Sequence, residues 1–331
     1  MLSRTASELY WIGRHVERAE NTARVIGVNH LLTLDGPDES EIDWEALVRT
    51  LGDHTTFASR YGQATKESVL RFLAFDPKAQ GSVVSSLACA RENARTVREI
   101  ISSEMWEQVN ETYLLAVEAS RDPAAAQSPF DFLDSVKKAS QLFVGITYLT
   151  MTHNEAWHFA RLGRLLERAD MTSRILDVKH KLLTPDPTAM GAPYDDISWG
   201  ALLRSASGLE MYRKRHGQIM PSQVVSFLLF DQKFPRSVRY CLRKGEDIPA
   251  PSPSNGRLLV VPDADLATKA ALWRAFRISG LSAEQLARRL DMTPEQLPVP
   301  TATSLLLAGS SATQTEVALA VLHALPHTPQ C

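Results

Sequence analysis

The sequence predicts an all-α fold: an internally duplicated helical bundle followed by a small helix-turn-helix-like C-terminal module. Three observations carry this. Strand signals are scarce before residue 250, while apolar residues recur at helical spacing. The phrase GRHVERAENTAR from Gly13 returns, nearly unchanged, as GRLLERADMTSR from Gly163. After a Pro/Ser/Gly stretch near residue 250 the chain changes character.

The first helix is announced by Leu9, Ile12, Val16, Ala19, Ala23 and Ile26, whose alternating steps of three and four trace one apolar stripe. Ser3 and Ser7 are both suitable caps for it. Leu162, Leu166, Ala169, Ser173 and Leu176 trace the same face in the second copy. The repeat extends further. IDWEALVRT from Ile42 matches ISWGALLRS from Ile197, and YGQATKESVLRFLAFDPKAQGSV from Tyr61 matches HGQIMPSQVVSFLLFDQKFPRSV from His216. The offset grows from 150 to 155, which places a five-residue insertion in the irregular stretch LTPDPTAMGAPYDD. The helical domain therefore spans 1–246, with duplicated units at about 9–150 and 159–243 packed about a pseudo-twofold axis. The first unit continues as one long helix from about Ser82 to Ala119. The second runs instead into KGEDIPAPSPSNG, giving a Pro/Ser linker at 247–256.

The tail, 257–331, opens on a short strand signal, RLLVVP. DADLATKAALWRAFRISG reads as a helix ended by Gly280, SAEQLARRL as a second with Ser282 at its N-cap, and TQTEVALAVLHAL as a last one. Helix, glycine turn and short helix make the start of a helix-turn-helix. Leu266, Ala270, Trp273 and Phe276 share one face, and the linker is long enough either to let it fold back onto the bundle or to leave the tail swinging free, as a DNA reader would be.

The 331 residues are 44% hydrophobic, enough for a sizeable core, and a net charge of −2 gives no general attraction to nucleic acid or anionic membranes. The three cysteines stand far apart with no CxxC or Cys/His cluster, so no zinc site is predicted. The N-terminus reads as an amphipathic helix start, not a signal peptide. The most apolar run, LFVGITYLTM from Leu142, is about half a membrane span and reads as a buried core helix. A cytoplasmic protein without membrane contact is the expectation.

MLSRTASELYWIGRHVERAENTARV, FARLGRLLERADMTSRIL and FLLFDQKFPRSVRYCL together resemble the alpha-E family over about residues 1–242. That resemblance implies an α-helical, internally duplicated fold. It also implies genomic neighbours of the ATP-grasp ligase-like and transglutaminase-like kinds, and so a role in making or modifying peptides. It brings no catalytic residue with it. VPDADLATKAALWRAFRISGLSAEQLARRL and, more loosely, ATQTEVALAVLHAL resemble the C-terminal half of HicB-type antitoxins, over about 257–325.

Four constellations bear on chemistry. Arg14, Glu17, Asn21 and Arg24 cluster on one side of the first helix, and Arg164, Glu167 and Arg174 repeat them, with Met171 in place of Asn21. Three readings stand: an internal Arg–Glu clamp between two helices, a solvated face of weak ion pairs, or a pocket for a phosphate or carboxylate. Glu155 and His158 have the i, i+3 spacing of di-iron bundles, but Thr5 and Glu8 occupy the equivalent place in the first copy, so no metal is expected. Neither a nucleophile elbow nor a Gly-rich phosphate loop appears, so neither a catalytic residue nor a cofactor is assigned. In the tail, Arg288 and Arg289 are the candidate DNA contacts. The segment that should read the groove is broken by Pro298 and Pro300 and lacks basic residues, and six basic residues after residue 256 only balance six acidic ones. The reading is a non-catalytic partner or scaffold for an ATP-grasp-like or transglutaminase-like protein. A HicB-like antitoxin or regulator binding DNA through the tail is the alternative, and an enzyme using the Glu17/Glu167 region the third.

Overall fold

The computed structural model describes residues 3–35, 43–183, 193–246, 271–272, 274–275, 278 and 282–292. Among these residues every regular element is helical. The helices are α1 (Ser3–Asp35), α2 (Trp44–Leu51), α3 (His54–Tyr61), α4 (Lys66–Leu70, continuing as one π turn through Arg71–Phe75), α5 (Val83–Thr96), α6 (Ser103–Arg121) and α7 (Pro123–Gln127). There follow α8 (Phe130–Thr150), α9 (Glu155–Leu183), α10 (Pro193–Ser205), α11 (Leu209–His216), α12 (Pro221–Phe230), α13 (Val238–Glu246) and α14 (Ala283–Leu290). The strand signal at 257–262, the last tail helix, the stretch after Thr293, and Leu266, Ala270, Trp273 and Phe276 lie outside the described residues.

The two longest helices, α1 and α9, pack against each other at the centre. Every member of the predicted α1 stripe is buried, as are Leu166, Ala169, Ser173 and Leu176 of the α9 stripe. The crossing is very close. A Cβ on Gly13 would overlap the Ala160 carbonyl oxygen, and one on Gly163 the Tyr10 carbonyl oxygen. Only glycine, with no side chain, lets the two backbones meet here.

The helices that follow α1 and α9 come in the same order and make matching contacts. α2 packs on α9 while α10 packs on α1, and α5 lies on α1 as α13 lies on α9. α3 ends at Gly62 with φ +73°, α11 at Gly217 with φ +71°, both left-handed positions that favour glycine. Arg60 pairs with Asp76 at 2.7 Å, and Arg215 pairs with Asp231. Ser82 caps α5 by accepting from Ser85 N at 3.0 Å, and Ser237 caps α13 by accepting from Tyr240 N at 3.1 Å.

Two expectations need correction. The single helix from Ser82 to Ala119 is two helices, α5 and α6. The chain turns at residues 97–102, where Val97 and Ile101 plug into the core and Ser102 caps α6 through Met105 N at 3.2 Å. The apolar run from Leu142, read as a buried core helix, does line the core but is buried on one side only. Phe143 and Thr147 face the core, while Leu142, Tyr148 and Leu149 are exposed. No helix among the described residues is long and apolar enough to cross a membrane.

Candidate functional site

The polar face of α1 is enclosed by α9, so the solvated-face reading falls: Glu17 is 3% exposed and Glu167 1%. Each carboxylate is gripped from the opposite helix. Arg168 donates from Nε and Nη2 to the two oxygens of Glu17, both at 2.8 Å. Arg18 donates from Nε and Nη2 to the two oxygens of Glu167, at 2.7 and 2.9 Å. The dipeptide Glu17–Arg18 thus exchanges partners with Glu167–Arg168. Both forks are bidentate, the geometry in which guanidinium and carboxylate bind most strongly.

Further arginines close the network. Arg14 donates to Glu167 and, at 2.8 Å, to the Tyr10 hydroxyl. Arg236, just before α13, reaches Glu17 at 3.2 Å, Asn21 Oδ1 at 2.7 Å and Glu20 at 2.6 Å. Arg24 pairs with Glu20 along α1, and Arg174 pairs with Asp170 along α9 at 3.0 Å. Arg274, beyond the linker, completes this second pair by donating to Asp170 and, at 3.1 Å, to Ser173 Oγ. It serves Asp170 as Arg236 serves Glu20.

Of the residues picked from sequence, Arg14, Glu17, Asn21, Arg24, Glu167 and Arg174 all belong to this network; Arg164 adjoins it but forms no ion pair among the described residues. Sequence reasoning missed Arg18, Arg168, Glu20, Asp170, Arg236 and Arg274. The first two had a signal, since both follow the glutamate in each copy of the repeated phrase. They fall about 100° further round the helix and so off the stripe drawn through Glu17.

Burial alone would neutralise these groups, yet the charges are kept. Burial raises the Glu17 pKa, but Arg168 and Arg236 outweigh it and hold the carboxyl down at about 2. Glu167 is lowered in the same way, burial being outweighed by Arg14 and Arg18. Asp170 lies well below the carboxylate range, because Arg174 and Arg274 overcome its burial. Arg164 is different. Burial and the neighbouring Arg168 push it down to about 10. Buried pairs of this kind are costly to break, by about 3–5 kcal/mol, because the survivor is left charged and dry.

The other candidates are dispersed. Glu155 and His158 are not joined by further ligands: among the described residues no three His, Cys, Asp or Glu side chains cluster in a way that could hold a metal. In the tail, Ser282 caps α14 as expected, accepting from Gln285 N at 3.3 Å. Leu286, Ala287 and Leu290 of that helix are buried in the same core as α1 and α9. Arg288 is exposed, and the Arg289 guanidinium lies 5.3 Å from the centre of the Phe230 ring. α14 is thus seated on the bundle through its apolar side.

Fold and site together define a class: an all-helical bundle whose two central helices are locked by a crossed Glu–Arg exchange. The chain belongs to the Alpha-E family, described as a predicted alpha-helical domain with a conserved ER motif, which matches residues 1–299. Glu17–Arg18 and Glu167–Arg168 are the two places where this chain carries the ER dipeptide. The match continues past the linker and takes in α14. The chain is also similar to uncharacterized proteins of Mycobacterium bovis and Mycobacterium tuberculosis, 28% identical over 261 residues. The matched stretch covers 73% of this chain and 29% of each relative, so the chain spans less than a third of the curated relatives it matches. No solved structure matches it significantly.

Proposed function

We propose that this alpha-E chain is a non-catalytic partner or scaffold of an ATP-grasp-like or transglutaminase-like protein in a peptide-forming or peptide-modifying system. The observation that carries the partner role is the apolar stripe left uncovered on α8. Leu142 is 54% exposed and Leu149, seven residues on along the same side, 81%. Tyr148 is 59% exposed and leads into stacked His153 and Trp157, whose ring centres are 4.1 Å apart. Apolar side chains grouped in this way gain free energy when a partner covers them. The charged residues of the ER motif are meanwhile engaged with each other, which suits a structural duty. The kind of partner is taken from the family resemblance. The mycobacterial relatives, in which the matched stretch is part of a much longer chain, fit a module that works beside others.

The test is co-elution of the purified chain with the ATP-grasp-like and transglutaminase-like proteins of the same organism. One of them should form a complex that Leu149→Glu disrupts while the variant's melting temperature stays at the wild-type value. Absence of a complex with both, or a complex indifferent to Leu149→Glu, rejects the reading.

A further inference from the structure

The two halves of the clamp are not equivalent, and the difference leaves a charge unmatched. Arg14 rests on Glu167 and the Tyr10 hydroxyl. Its counterpart in the second phrase, Arg164, has neither kind of support. Ala160 stands where the first copy has Tyr10, and the oxygens of Glu17 are taken by Arg168 and Arg236. Arg164 forms no ion pair among the described residues, and its Nη1 is buried without a hydrogen-bond partner.

Arg164 lines a cavity of about 300 Å³ between α1, α8, α9 and the chain just before α13. Two more buried donors on that wall lack partners among the described residues, Arg24 Nε and the hydroxyl of Ser140, a residue only 4% exposed. Four guanidiniums line the space, from Arg24, Arg164, Arg168 and Arg236, against the two carboxylates of Glu17 and Glu20. The excess is two positive charges. Gln141 and Ser207 are exposed at the rim, which gives a route in.

We propose that this cavity binds a phosphate dianion, free or as the phosphoryl group of a small molecule, held by Arg164, Arg24 and Ser140. A dianion cancels the excess charge, whereas one carboxylate would leave half of it. Tetrahedral phosphate oxygens accept from a guanidinium fork and a hydroxyl at once. The site draws on residues separate from the exposed α8 stripe, so it stands independently of the partner reading.

Calorimetric titration of the full chain tests it, at constant ionic strength, with inorganic phosphate, glycerol phosphate and acetate as probes. Wild type should bind phosphate at one site, with Kd at or below about 1 mM. Tighter binding of glycerol phosphate identifies a phosphoryl ligand, and equal or weaker binding identifies free phosphate. Arg164→Gln should weaken binding by roughly tenfold or more, Ser140→Ala should weaken it less, and Arg49→Gln, on another face, should leave it unchanged. Without phosphate, Arg164→Gln should melt at or above the wild-type temperature, since it removes an unmatched buried charge. The proposal is overturned by any of four results: no phosphate binding, acetate bound as tightly as phosphate, full binding by Arg164→Gln, or a large loss of stability in Arg164→Gln.

Discussion

His15 lies between Arg14 and Glu17 in sequence, yet it takes no part in their exchange. It is 1% exposed, stacks on Trp11 with ring centres 5.2 Å apart, and neither ring nitrogen has a hydrogen-bond partner among the described residues. Burial, reinforced by Arg18, holds its pKa down at about 3, so it stays neutral in the folded protein. In the unfolded chain it protonates below about pH 6.5. The unfolded state therefore binds the extra proton, and stability must fall as pH drops below 6.5 toward the folded value, by up to about 1.4 kcal/mol per pH unit. Glu17, held at about 2, acts in the same direction, but only once pH falls below the ordinary glutamate range. The interval from about pH 6.5 to 4.5 thus belongs chiefly to His15, with a smaller share from half-buried His158, lowered by burial and by Arg161, and an opposing share from Glu8, whose carboxyl is raised by burial. Urea denaturation across this interval should show the slope in wild type, and His15→Phe should remove most of it. A flat wild-type profile, or an unchanged slope in the variant, contradicts the account. At this scale the sequence was half legible. The residue types at Glu17 and Glu167 pointed to a charged cluster, but not to the guanidinium each would hold. Those partners come from other helices, more than a hundred residues away, and Arg274 from beyond the linker.

Helix periodicity made the elements easier to read than the partners. The stripes of α1 and α9 came straight from spacing, and Ser282, read as a cap, forms a capping box with Gln285 in the structure. The break between α5 and α6 was missed although Ser102 is a good cap, since helix formers on both sides mask a turn that tertiary packing imposes. The glycines at the head of each repeated phrase show how an element's main constraint hides in its partner. Gly13 and Gly163 sit inside helices, where glycine is ordinarily unfavourable by about 1 kcal/mol against alanine. What selects it is the facing backbone, at Ala160 and at Tyr10. We read these reciprocal approaches, with the matched caps and the crossed Glu–Arg forks, as support for the duplication inferred from sequence. Gly163→Ala should cost about 3 kcal/mol or more, because the obstructing atoms are backbone and cannot swing aside. Gly145→Ala in α8, where nothing lies within 4 Å of the added carbon, should be neutral or stabilising by up to about 1 kcal/mol. Thermal melts of the two variants decide this, and equal effects would mean that the crossing is not tight.

At the scale of the molecule, the open question is whether the chain beyond Glu246 is a separate module. Composition argued for a boundary: a Pro/Ser linker at 247–256 and a tail with another family's resemblance. Packing argues for a joint fold. Ala271, Leu272, Ala275 and Ile278 are buried in the core that contains α1 and α9, as are Leu286, Ala287 and Leu290 of α14. Arg274 supplies a guanidinium to Asp170, deep in the clamp. The family match reaches residue 299 and so treats this region as continuous with the bundle. An independent module would leave the rest of the chain as stable without it, and the full chain would melt in two steps. An integrated one behaves otherwise. Four buried branched side chains, Leu272, Ile278, Leu286 and Leu290, are each worth about 1.5–3 kcal/mol at most, and at about 2.1 cal/mol/K of unfolding entropy per residue a chain of this size loses roughly 1.4 °C per kcal/mol. Ending the chain after Glu246 should therefore lower the melting temperature by up to roughly 8–17 °C. Arg274→Met keeps most of the side-chain volume and leaves Asp170 with Arg174 alone, so it should cost about 2 kcal/mol, less than the loss of both partners. A truncated chain that melts where the full chain does would restore the boundary at the linker and make the Arg274–Asp170 contact incidental. A lower temperature in both variants, with a single transition in the full chain, would place the second arginine of Asp170 in the tail, and the tail within the alpha-E fold.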